Sequence, residues 1–317
     1  MIFMGNCFRK KEFSWSEDDE PHSIRRKEIL AYHPEIKNLF GPDLRLLPCV
    51  IFMISAQFGL AYITQYVSWY LYFLSAFVIG GTISHSMSLA IHELSHGLCF
   101  EDEFANELLG MFANCAQGIP SMITFKRYHM EHHQKQGMDM FDVDVPTYLE
   151  GYIFQHALGK IIFIMLQPLL YSIRPLIIYP KTTTWKEIMN WTIVMTSNVA
   201  IYLYSPSCLL YLLLSDLLGM GLHPTSGHLI SEHFESHPNQ ETYSYYGKMN
   251  NITFNVGYHN EHHDFTRISG FHLPKVKVIA PEYYDTLYSH DSWTMVLYNF
   301  IMDPNMSPFS RIKRVTK

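Results

Sequence analysis

Two long apolar stretches most constrain what this chain can fold into. Residues 46–63 are apolar apart from Ser55 and Gln57, and residues 68–91 form a longer stretch of the same kind. Each approaches or exceeds the roughly 20 residues that a helix needs to cross a bilayer. Because a helix satisfies its own backbone hydrogen bonds in lipid, we predict a transmembrane hairpin and an all-α integral membrane protein.

The composition and the later apolar stretches extend this prediction. Only 16% of the 317 residues are charged, against about 25% in a soluble domain. Further transmembrane helices are predicted near residues 188–204 and 207–225. The stretch near 161–178 contains Arg174 and two prolines, which are costly at mid-bilayer, so we predict an interfacial helix there. The prediction is therefore about four transmembrane helices, with six as the alternative, since an even count keeps the polar segments on one side.

The distribution of basic residues predicts the orientation. Eight Lys and Arg residues precede residue 46, whereas the linker 64–67 contains none. By the positive-inside bias, residues 1–45 form a cytosolic N-terminal segment and residues 46–317 form the membrane domain. The net charge of −6 includes no large acidic or basic block, so nucleic-acid binding is not predicted. The five cysteines form no C-x-x-C pair, which argues against a disulfide framework or a thiolate zinc site.

The histidines are the most informative residues for function. Eight of the 18 fall in three clusters, which read "HELSH", "HMEHH" and "HNEHH". Positions i, i+3 and i+4 share one face of a helix, so each cluster presents its imidazoles to one point. A catalytic zinc takes three protein ligands, whereas eight imidazoles suit two metal ions, and imidazole is a good ligand for iron. The predicted ligands are His92, His96, His129, His132, His133, His259, His262 and His263.

A fourth histidine-containing stretch and several carboxylates complete the predicted site. "HPTSGHLISEHFESH" follows the last apolar stretch, and within it His233, followed by His228, is a candidate for a further ligand. A metal-bound histidine usually donates its other ring N–H to a carboxylate or carbonyl. We therefore predict that carboxylates near the clusters orient the imidazoles, with a solvated cytosolic face as the alternative. These carboxylates are Glu93, Glu131, Glu261 and Asp264.

The first cluster also fits an intramembrane zinc protease, and a metal carrier is a second alternative to a two-metal enzyme. His92, Glu93 and His96 fit the H-E-x-x-H motif of zinc proteases, in which the glutamate activates water. An intramembrane zinc protease needs one further ligand, however, and this chain offers at least six. A metal carrier would need ligands at mid-membrane, whereas these clusters are predicted at one face.

Long strings around the clusters resemble one family. They are "FKRYHMEHH", "DVDVPTYLEG", "GMGLHPTSGH", "TFNVGYHNEHHDF" and "APEYYD". With them the chain resembles, over nearly its whole length, the sphingolipid Δ4-desaturases, or dihydroceramide desaturases, of the membrane fatty-acid desaturase and hydroxylase superfamily. "HELSHG" replaces the family's usual "HEIAHN" type but retains both histidines. This and other differences leave chain-length preference and regiochemistry open.

The resemblance implies a reaction, its cofactors and a location. The three histidine boxes would hold two iron ions at the cytosolic face of the endoplasmic reticulum membrane, in a multi-pass protein. With O2, the enzyme would introduce a trans C4–C5 double bond into the sphingoid base of dihydroceramide, giving ceramide. Electrons would come from NADH through cytochrome b5 reductase and a separate cytochrome b5, since the chain contains no "HPGG" haem-binding string. C4-hydroxylation of the same substrate to phytoceramide, alone or beside desaturation, stays open, as does the oligomeric state.

Two minor predictions concern the substrate and the N-terminus. Asp142, Asp144 and Tyr243 lie near the boxes and could bind the amide and hydroxyl groups of the substrate, with plain loop residues as the alternative. "MGNCFR" at 4–9 resembles a myristoylation start, which would expose Gly5 if translation began at Met4. Arg9 occupies the place where that motif prefers Ser or Thr.

Overall fold

The computed structural model describes residues 10–315, and in this part the protein is mostly helical, as predicted. The α-helices are α1 (Pro21–Tyr32), α2 (Leu46–Thr64), α3 (Trp69–Ser75), α4 (Gly81–Ser95), α5 (Glu103–Gln117), α6 (Met122–Gln134), α7 (Tyr148–Ile153), α8 (Ala157–Ile178), α9 (Trp185–Tyr204), α10 (Pro206–Met220), α11 (Gly227–Ser231), α12 (His259–Asp264), α13 (Leu273–Ile279), α14 (Pro281–Tyr284) and α15 (Trp293–Met302). The strands are β1 (Ser14–Ser16), β2 (Ser244–Tyr245), β3 (Ser289–His290) and β4 (Ile312–Arg314), of which β1 pairs with β4 and β2 with β3, both in parallel.

The long helices α2, α3–α4, α9 and α10 run between two common ends. A π-helical turn at Ala76–Gly80 joins α3 to α4 into one rod. The Tyr72 hydroxyl donates to the carbonyl oxygen of Ser207 at 2.6 Å, and the Tyr62 and Tyr204 rings lie 6.5 Å apart. The α9–α10 turn therefore lies beside the α2–α3 turn. All three histidine boxes lie at the opposite end.

Length and composition select a slightly different set of candidate spans from the predicted one. Three helical segments are long and apolar enough to cross a membrane, namely α2, Trp69–Ser95 and α8. The pair Pro206–Met220 and Pro224–Ser231, bent by 45°, could form a fourth. Helix α9 does not meet these criteria among the described residues, although residues 188–204 are predicted to cross the membrane. Helix α8 does meet them, although residues 161–178 are predicted to form an interfacial helix.

The contacts of Arg174 explain how α8 accommodates a buried charge. Its guanidinium donates to the Glu150 carboxylate at 2.8 Å and to the Gln167 side-chain oxygen at 3.2 Å, and Arg174 itself is buried. The helix continues through Pro168 and Pro175. The positive charge of Arg174, which is the reason for predicting an interfacial helix, is thus paired with Glu150 inside the protein.

Both ends of α8 nevertheless contact segments on the side of the histidine boxes. Beyond its C-terminus, the carbonyl oxygen of Tyr179 accepts a hydrogen bond from the Tyr128 hydroxyl, next to the second box. Near its N-terminus, Lys160 donates to the carbonyl oxygen of Met306 in the C-terminal segment. That segment in turn reaches the loop after the second box, where the Arg314 amide donates to the Gly137 carbonyl oxygen.

Helices α4 and α10 pack at close range because glycines lie at their crossing. A Cβ atom on Gly219 would overlap the carbonyl oxygen of Gly81, and one on Gly80 would overlap Ser215. Only glycine allows the two backbones to approach this closely. This crossing sets the position of α10 against the helix that carries the first histidine box.

The N-terminal residues pack onto the face that carries the boxes. Helix α1 contacts α12, where His22 and Arg25 bind the Asp264 carboxylate, and β1 pairs with β4 near the end of the chain. The described part of the segment 1–45 is thus integrated with the rest of the fold. Among the described residues, Cys49, Cys99, Cys115 and Cys208 are free thiols. Gly5 and Cys7 lie outside the described residues.

Candidate metal centre

Three helices bring the histidine boxes together at one point. His92 lies in the last turn of α4 and His96 directly follows that helix. The second box occupies the C-terminal half of α6, and the third forms α12. Because residues three and four apart share a face, each helix turns its imidazoles toward the other two.

The imidazoles form two adjoining groups. In the first group, one ring nitrogen of each of five residues lies within 4.8 Å of all the others. The Nε2 atom of His129 lies 3.0 Å from those of His96 and His133, and the Nε2 atoms of His133 and His262 are 3.2 Å apart. The first group comprises His92, His96, His129, His133 and His262.

The second group is built around His233. Nitrogens of His132, His233 and His263 lie within 4.8 Å of one another. The Nε2 atom of His233 is 3.1 Å from that of His132 and 3.0 Å from that of His259, so His259 joins this group. Nine of the ten predicted ligands are therefore gathered in two groups, including His233 from the fourth stretch.

The nitrogen–nitrogen distances fit metal coordination. Imidazole nitrogens bind a divalent metal such as zinc at about 2.0–2.1 Å, so two ligands at right angles would lie about 3.0 Å apart. In addition, both ring nitrogens of His92 and Nε2 of His263 are buried without a hydrogen-bond partner among the described residues. Buried polar atoms without partners are costly, and a metal ion would satisfy them. The donor set thus fits two metal ions.

The protonation states agree with this assignment. A metal ligand must be a neutral imidazole. Burial lowers the pKa of six of the clustered histidines well below the ordinary value, so they stay neutral. They are His129, His133, His233, His259, His262 and His263.

His132 differs because carboxylates lie behind it. Burial opposes its charge, but Asp142 and Asp144 outweigh burial and raise its pKa. The Nδ1 atom of His132 donates to Asp142 Oδ1 at 3.0 Å, which leaves Nε2 facing His233. Asp142, a candidate for substrate binding or a plain loop residue in the sequence analysis, is buried and orients a candidate ligand.

Two further groups lie behind imidazoles, and the box spacing does not predict them. A carboxylate oxygen of Glu232 lies 3.3 Å from Nδ1 of His259, and burial raises the pKa of Glu232 well above its usual value. The Nδ1 atom of His233 donates to the carbonyl oxygen of Glu241 at 3.4 Å. Neither contact follows from the box spacing, because the contacting residues lie outside the five-residue patterns.

The carboxylates predicted from the boxes themselves contact other groups. Glu93 accepts from the Gly270 amide at 2.8 Å and from the Ser269 hydroxyl, and it lies no closer than 3.9 Å to His92. Glu131 binds Lys135 and Lys181. Glu261 accepts from Ser244 and Tyr246. These three anchor neighbouring segments instead of accepting a hydrogen bond from a box imidazole.

Asp264 fixes the third box through the N-terminal helix. Its buried carboxylate accepts from His22 at 2.8 Å, from Arg25 at 2.7 Å and from the Tyr284 hydroxyl at 2.9 Å. Burial disfavours the charge, but Arg25 and His22 outweigh it and lower the pKa of Asp264. The His22 ring also lies 4.8 Å from the ring of His263. His22, which no pattern in the sequence singles out, is thus part of the support of the site.

His228 and Tyr243 are placed differently from their predictions. The Nδ1 atom of His228 lies 2.9 Å from Nε2 of His85, and His228 belongs to neither imidazole group. The Tyr243 hydroxyl binds the backbone of the 236–240 loop, donating to Gln240 and accepting from Ser236 and His237. Tyr243 is buried, supports this loop and is not among the residues that line the cavity described below.

A cavity connects both imidazole groups to the helix bundle. Its walls include His92 and His129 from the first group and His132, His233 and His259 from the second. One wall carries Asp144, Glu232, Tyr171, Arg174 and Arg311, and another carries Ser88, Gln117 and Asp216. Most of the remaining lining is apolar and includes Leu89, Ile91, Phe125, Met220 and Val256. A lipid chain could therefore lie against the candidate metal ligands.

Comparisons with known proteins agree with this geometry. The fatty acid desaturase family matches residues 68–294, and the sphingolipid Delta4-desaturase family matches residues 9–45. The sphingolipid delta(4)-desaturase DES1 of Gallus gallus is 50% identical over 317 residues, covering 99% of this chain and 98% of the relative. The Homo sapiens protein of that name is 49% identical with the same coverage, and the Drosophila melanogaster one is 46% identical, covering 98% of each chain. The chain belongs to the sphingolipid Δ4-desaturase family of the fatty acid desaturases.

Proposed function

We propose that this protein is an O2-dependent sphingolipid Δ4-desaturase that converts dihydroceramide to ceramide by forming a trans C4–C5 double bond. The observation that carries the proposal is the pair of imidazole groups opening onto an apolar cavity. The near full-length relatives, named sphingolipid delta(4)-desaturases, supply the substrate class.

The imidazole groups would hold two iron ions, one in each group. Bound iron supplies the O2-dependent removal of two hydrogens, with water as the other product. The protein fixes the ligands: Asp142 holds His132, Glu232 faces His259, and Asp264 ties α12 to α1. The apolar walls exclude water and align one carbon–carbon bond of the chain with the site.

The contacts of Glu93 weigh against the zinc-protease alternative. A general base must reach a metal-bound water. Glu93 instead accepts hydrogen bonds from Gly270 and Ser269 and does not line the cavity. Moreover, nine imidazoles in two groups exceed what one zinc ion requires.

We further propose that α2, α3–α4, α9 and α10 cross the endoplasmic reticulum membrane, with the boxes on the cytosolic side. The contacts of both ends of α8 with segments on the box side support an interfacial position for that helix. Its paired Arg174 is compatible with either position. A cytosolic site would receive electrons from NADH through cytochrome b5 reductase and a separate cytochrome b5.

Metal analysis and product analysis test the proposal. Purified protein should contain close to two irons per chain, and His262→Ala should lose iron and activity together. Lys248→Ala, at a residue outside both imidazole groups and the cavity lining, serves as a control that should keep both. With dihydroceramide, NADH and cytochrome b5, ceramide should be the main product. A single zinc per chain would refute the two-iron site. Phytoceramide as the main product would show that the enzyme is mainly a C4-hydroxylase.

A further inference from the structure

The cavity contains one buried carboxylate that the proposed metal site does not use. Asp216 lies in α10, within the helix bundle, and only 6% of it is exposed. Its Oδ1 atom accepts from the Ser84 hydroxyl at 2.7 Å and from the Gln117 amide at 3.1 Å. Neither hydrogen bond uses Oδ2, and Asp216 lines the cavity. An ionisable residue inside a membrane bundle costs stability, which makes Asp216 a candidate functional residue.

The surroundings of Asp216 form a preorganised polar wall. Gln117 donates to Ser88 at 2.7 Å as well as to Asp216, and both Gln117 and Ser88 line the cavity. The close crossing of Gly81 and Gly219 holds α10 against α4, one turn from Asp216. The hydrogen bonds of Ser84 and Gln117 to Oδ1 thereby fix the orientation of the Asp216 carboxylate.

This polar wall lies close to the candidate metal ligands. Ser88 precedes His92 by one helical turn, or about 6 Å along the axis of α4, and both residues line the same cavity. In a sphingoid base, the C1 and C3 hydroxyls lie only a few bonds from C4 and C5. Asp216 itself lies further away, since its donor Ser84 precedes His92 by two turns, or about 12 Å. A hydroxyl bound at Asp216 and the chain from that hydroxyl to C4–C5 would span much of this distance.

The other carboxylates that line the cavity lie beside the imidazoles or bind neighbouring residues. The Tyr171 hydroxyl donates to the Asp144 carboxylate, and Arg311 donates to the Asp144 carbonyl oxygen at 3.1 Å. Glu232 faces His259. Asp216 differs from these carboxylates because it lies away from the imidazoles, and its Oδ2 atom, which accepts neither of the two hydrogen bonds, is available to a hydroxyl donor.

Resting on the proposed function, we infer that Asp216 is a specificity-determining residue that accepts a hydrogen bond from a hydroxyl group of the sphingoid base. This contact sets how far the chain enters the cavity and therefore which carbon–carbon bond reaches the metal site. Fatty acyl chains without hydroxyl groups near the reacting carbons lack this contact.

Competition binding tests this inference independently of turnover. The probes are dihydroceramide and two counterparts with the same acyl chain, one lacking the C1 hydroxyl and one lacking the C3 hydroxyl. Each displaces a fluorescent dihydroceramide from the iron-loaded protein in detergent. Because a hydrogen bond to a charged group is lost, wild type should bind at least one deoxy counterpart about tenfold or more weakly than dihydroceramide.

The variant Asp216→Asn should remove that preference. It should bind dihydroceramide about as weakly as wild type binds the deoxy counterpart, while its affinity for that counterpart stays nearly unchanged. The matched control is Ser215→Ala, since Ser215 is equally buried in α10 but faces Gly80 and does not line the cavity. This control should keep the wild-type preference and iron content.

Two results would overturn the inference. One is equal binding of dihydroceramide and both deoxy counterparts by wild type, a measurement that requires no variant to fold. The other is an unchanged preference in Asp216→Asn with iron content intact, which would leave Asp216 a purely structural tie between α4 and α10. If dihydroceramide bound with the hydroxyl preference but was never desaturated, the proposed function would fail while the inference stood.

Discussion

At the scale of single residues, the site depends as much on the groups behind the imidazoles as on the imidazoles. A hydrogen bond to Nδ1 fixes both the tautomer and the ring orientation of a ligand histidine. Asp142 provides this bond for His132, and the backbone of Glu241 provides it for His233. The orienting groups come from loops, whereas the ligands come mainly from helices.

Asp142→Asn should weaken iron binding without removing a ligand. Because an amide accepts the His132 N–H less strongly than a carboxylate does, iron affinity should fall about 10–100-fold, with activity falling in parallel. Iron retained after dialysis against a weak chelator is the measurement. Asp285→Asn, at an exposed carboxylate paired with Lys277, should retain wild-type iron. Equal retention in both variants would contradict an orienting role for Asp142.

His233 and His228 should respond differently to replacement by alanine. His233 lies 3.1 Å or less from nitrogens of two other candidate ligands, whereas His228 pairs with His85. His233→Ala should therefore lose about half of the bound iron or more, and His228→Ala should keep close to two irons per chain. The iron-to-protein ratio of each purified variant distinguishes them. Loss of iron in His228→Ala would place His228 among the ligands after all.

At the scale of elements, helix α8 shows how a buried charge becomes tolerable. Arg174 is buried against Glu150 at the start of α7, and the same glutamate caps that helix by accepting from the Thr147 amide. The ion pair therefore joins α7 to α8 beside the cavity. Removing one partner would leave the other charge buried and unpaired.

Arg174→Met should destabilise the fold by about 3–5 kcal/mol because it leaves the Glu150 carboxylate unpaired. The double variant Arg174→Met with Glu150→Gln should recover part of this loss, since the amide is neutral and can still cap α7. Thermal unfolding in detergent measures both. A double variant less stable than the single one would show that the ion pair is not the dominant interaction.

The crossing of α4 and α10 gives a second prediction at this scale. A methyl group at position 219 would overlap the Gly81 carbonyl, so Gly219→Ala should destabilise the protein by about 1–3 kcal/mol. Gly59 in α2 has nothing within 4 Å of a built Cβ, so Gly59→Ala should be neutral or stabilising by up to about 1 kcal/mol. The difference in unfolding temperature is the readout. Equal shifts in unfolding temperature for the two variants would mean that α4 and α10 can move apart without loss of stability.

At the scale of the whole molecule, the sequence predicts which histidines gather far better than it predicts the residues that support them. Helical spacing alone identifies eight of the nine gathered histidines, because i, i+3 and i+4 must share a face. His22 and Asp264 meet across 242 positions of sequence, and no local pattern encodes such a contact. Proximity to the boxes alone makes Asp142 and Tyr243 candidates for substrate binding, and the structure gives each a partner within the protein. The position of α8 stays a prediction because length, composition and contacts point in different directions.

Glycosylation mapping tests the arrangement in the membrane. We expect a glycan acceptor tag with a flexible spacer to be modified when inserted at 65–67 or 204–206, because these turns lie together at the end opposite the boxes. A tag inserted at 180–183 should stay unmodified, since this linker contacts α6 beside the second box. Endoglycosidase-sensitive gel shifts report each site. Modification at 180–183 would show that α8 crosses the membrane.

The pairing of β1 with β4 has a consequence for biosynthesis. Arg314 in β4 donates to the carbonyl oxygen of Gln136, just after the second box, and binds Glu241, whose backbone holds His233. Residues 312–314 leave the ribosome after all three boxes and after every proposed membrane helix. The proposed membrane helices can thus insert while the chain is still growing, whereas the bonds from Arg314 to the loops around the imidazoles form only after synthesis has reached this strand. The proposed iron ions would accordingly bind to a complete set of supporting contacts only late in biosynthesis.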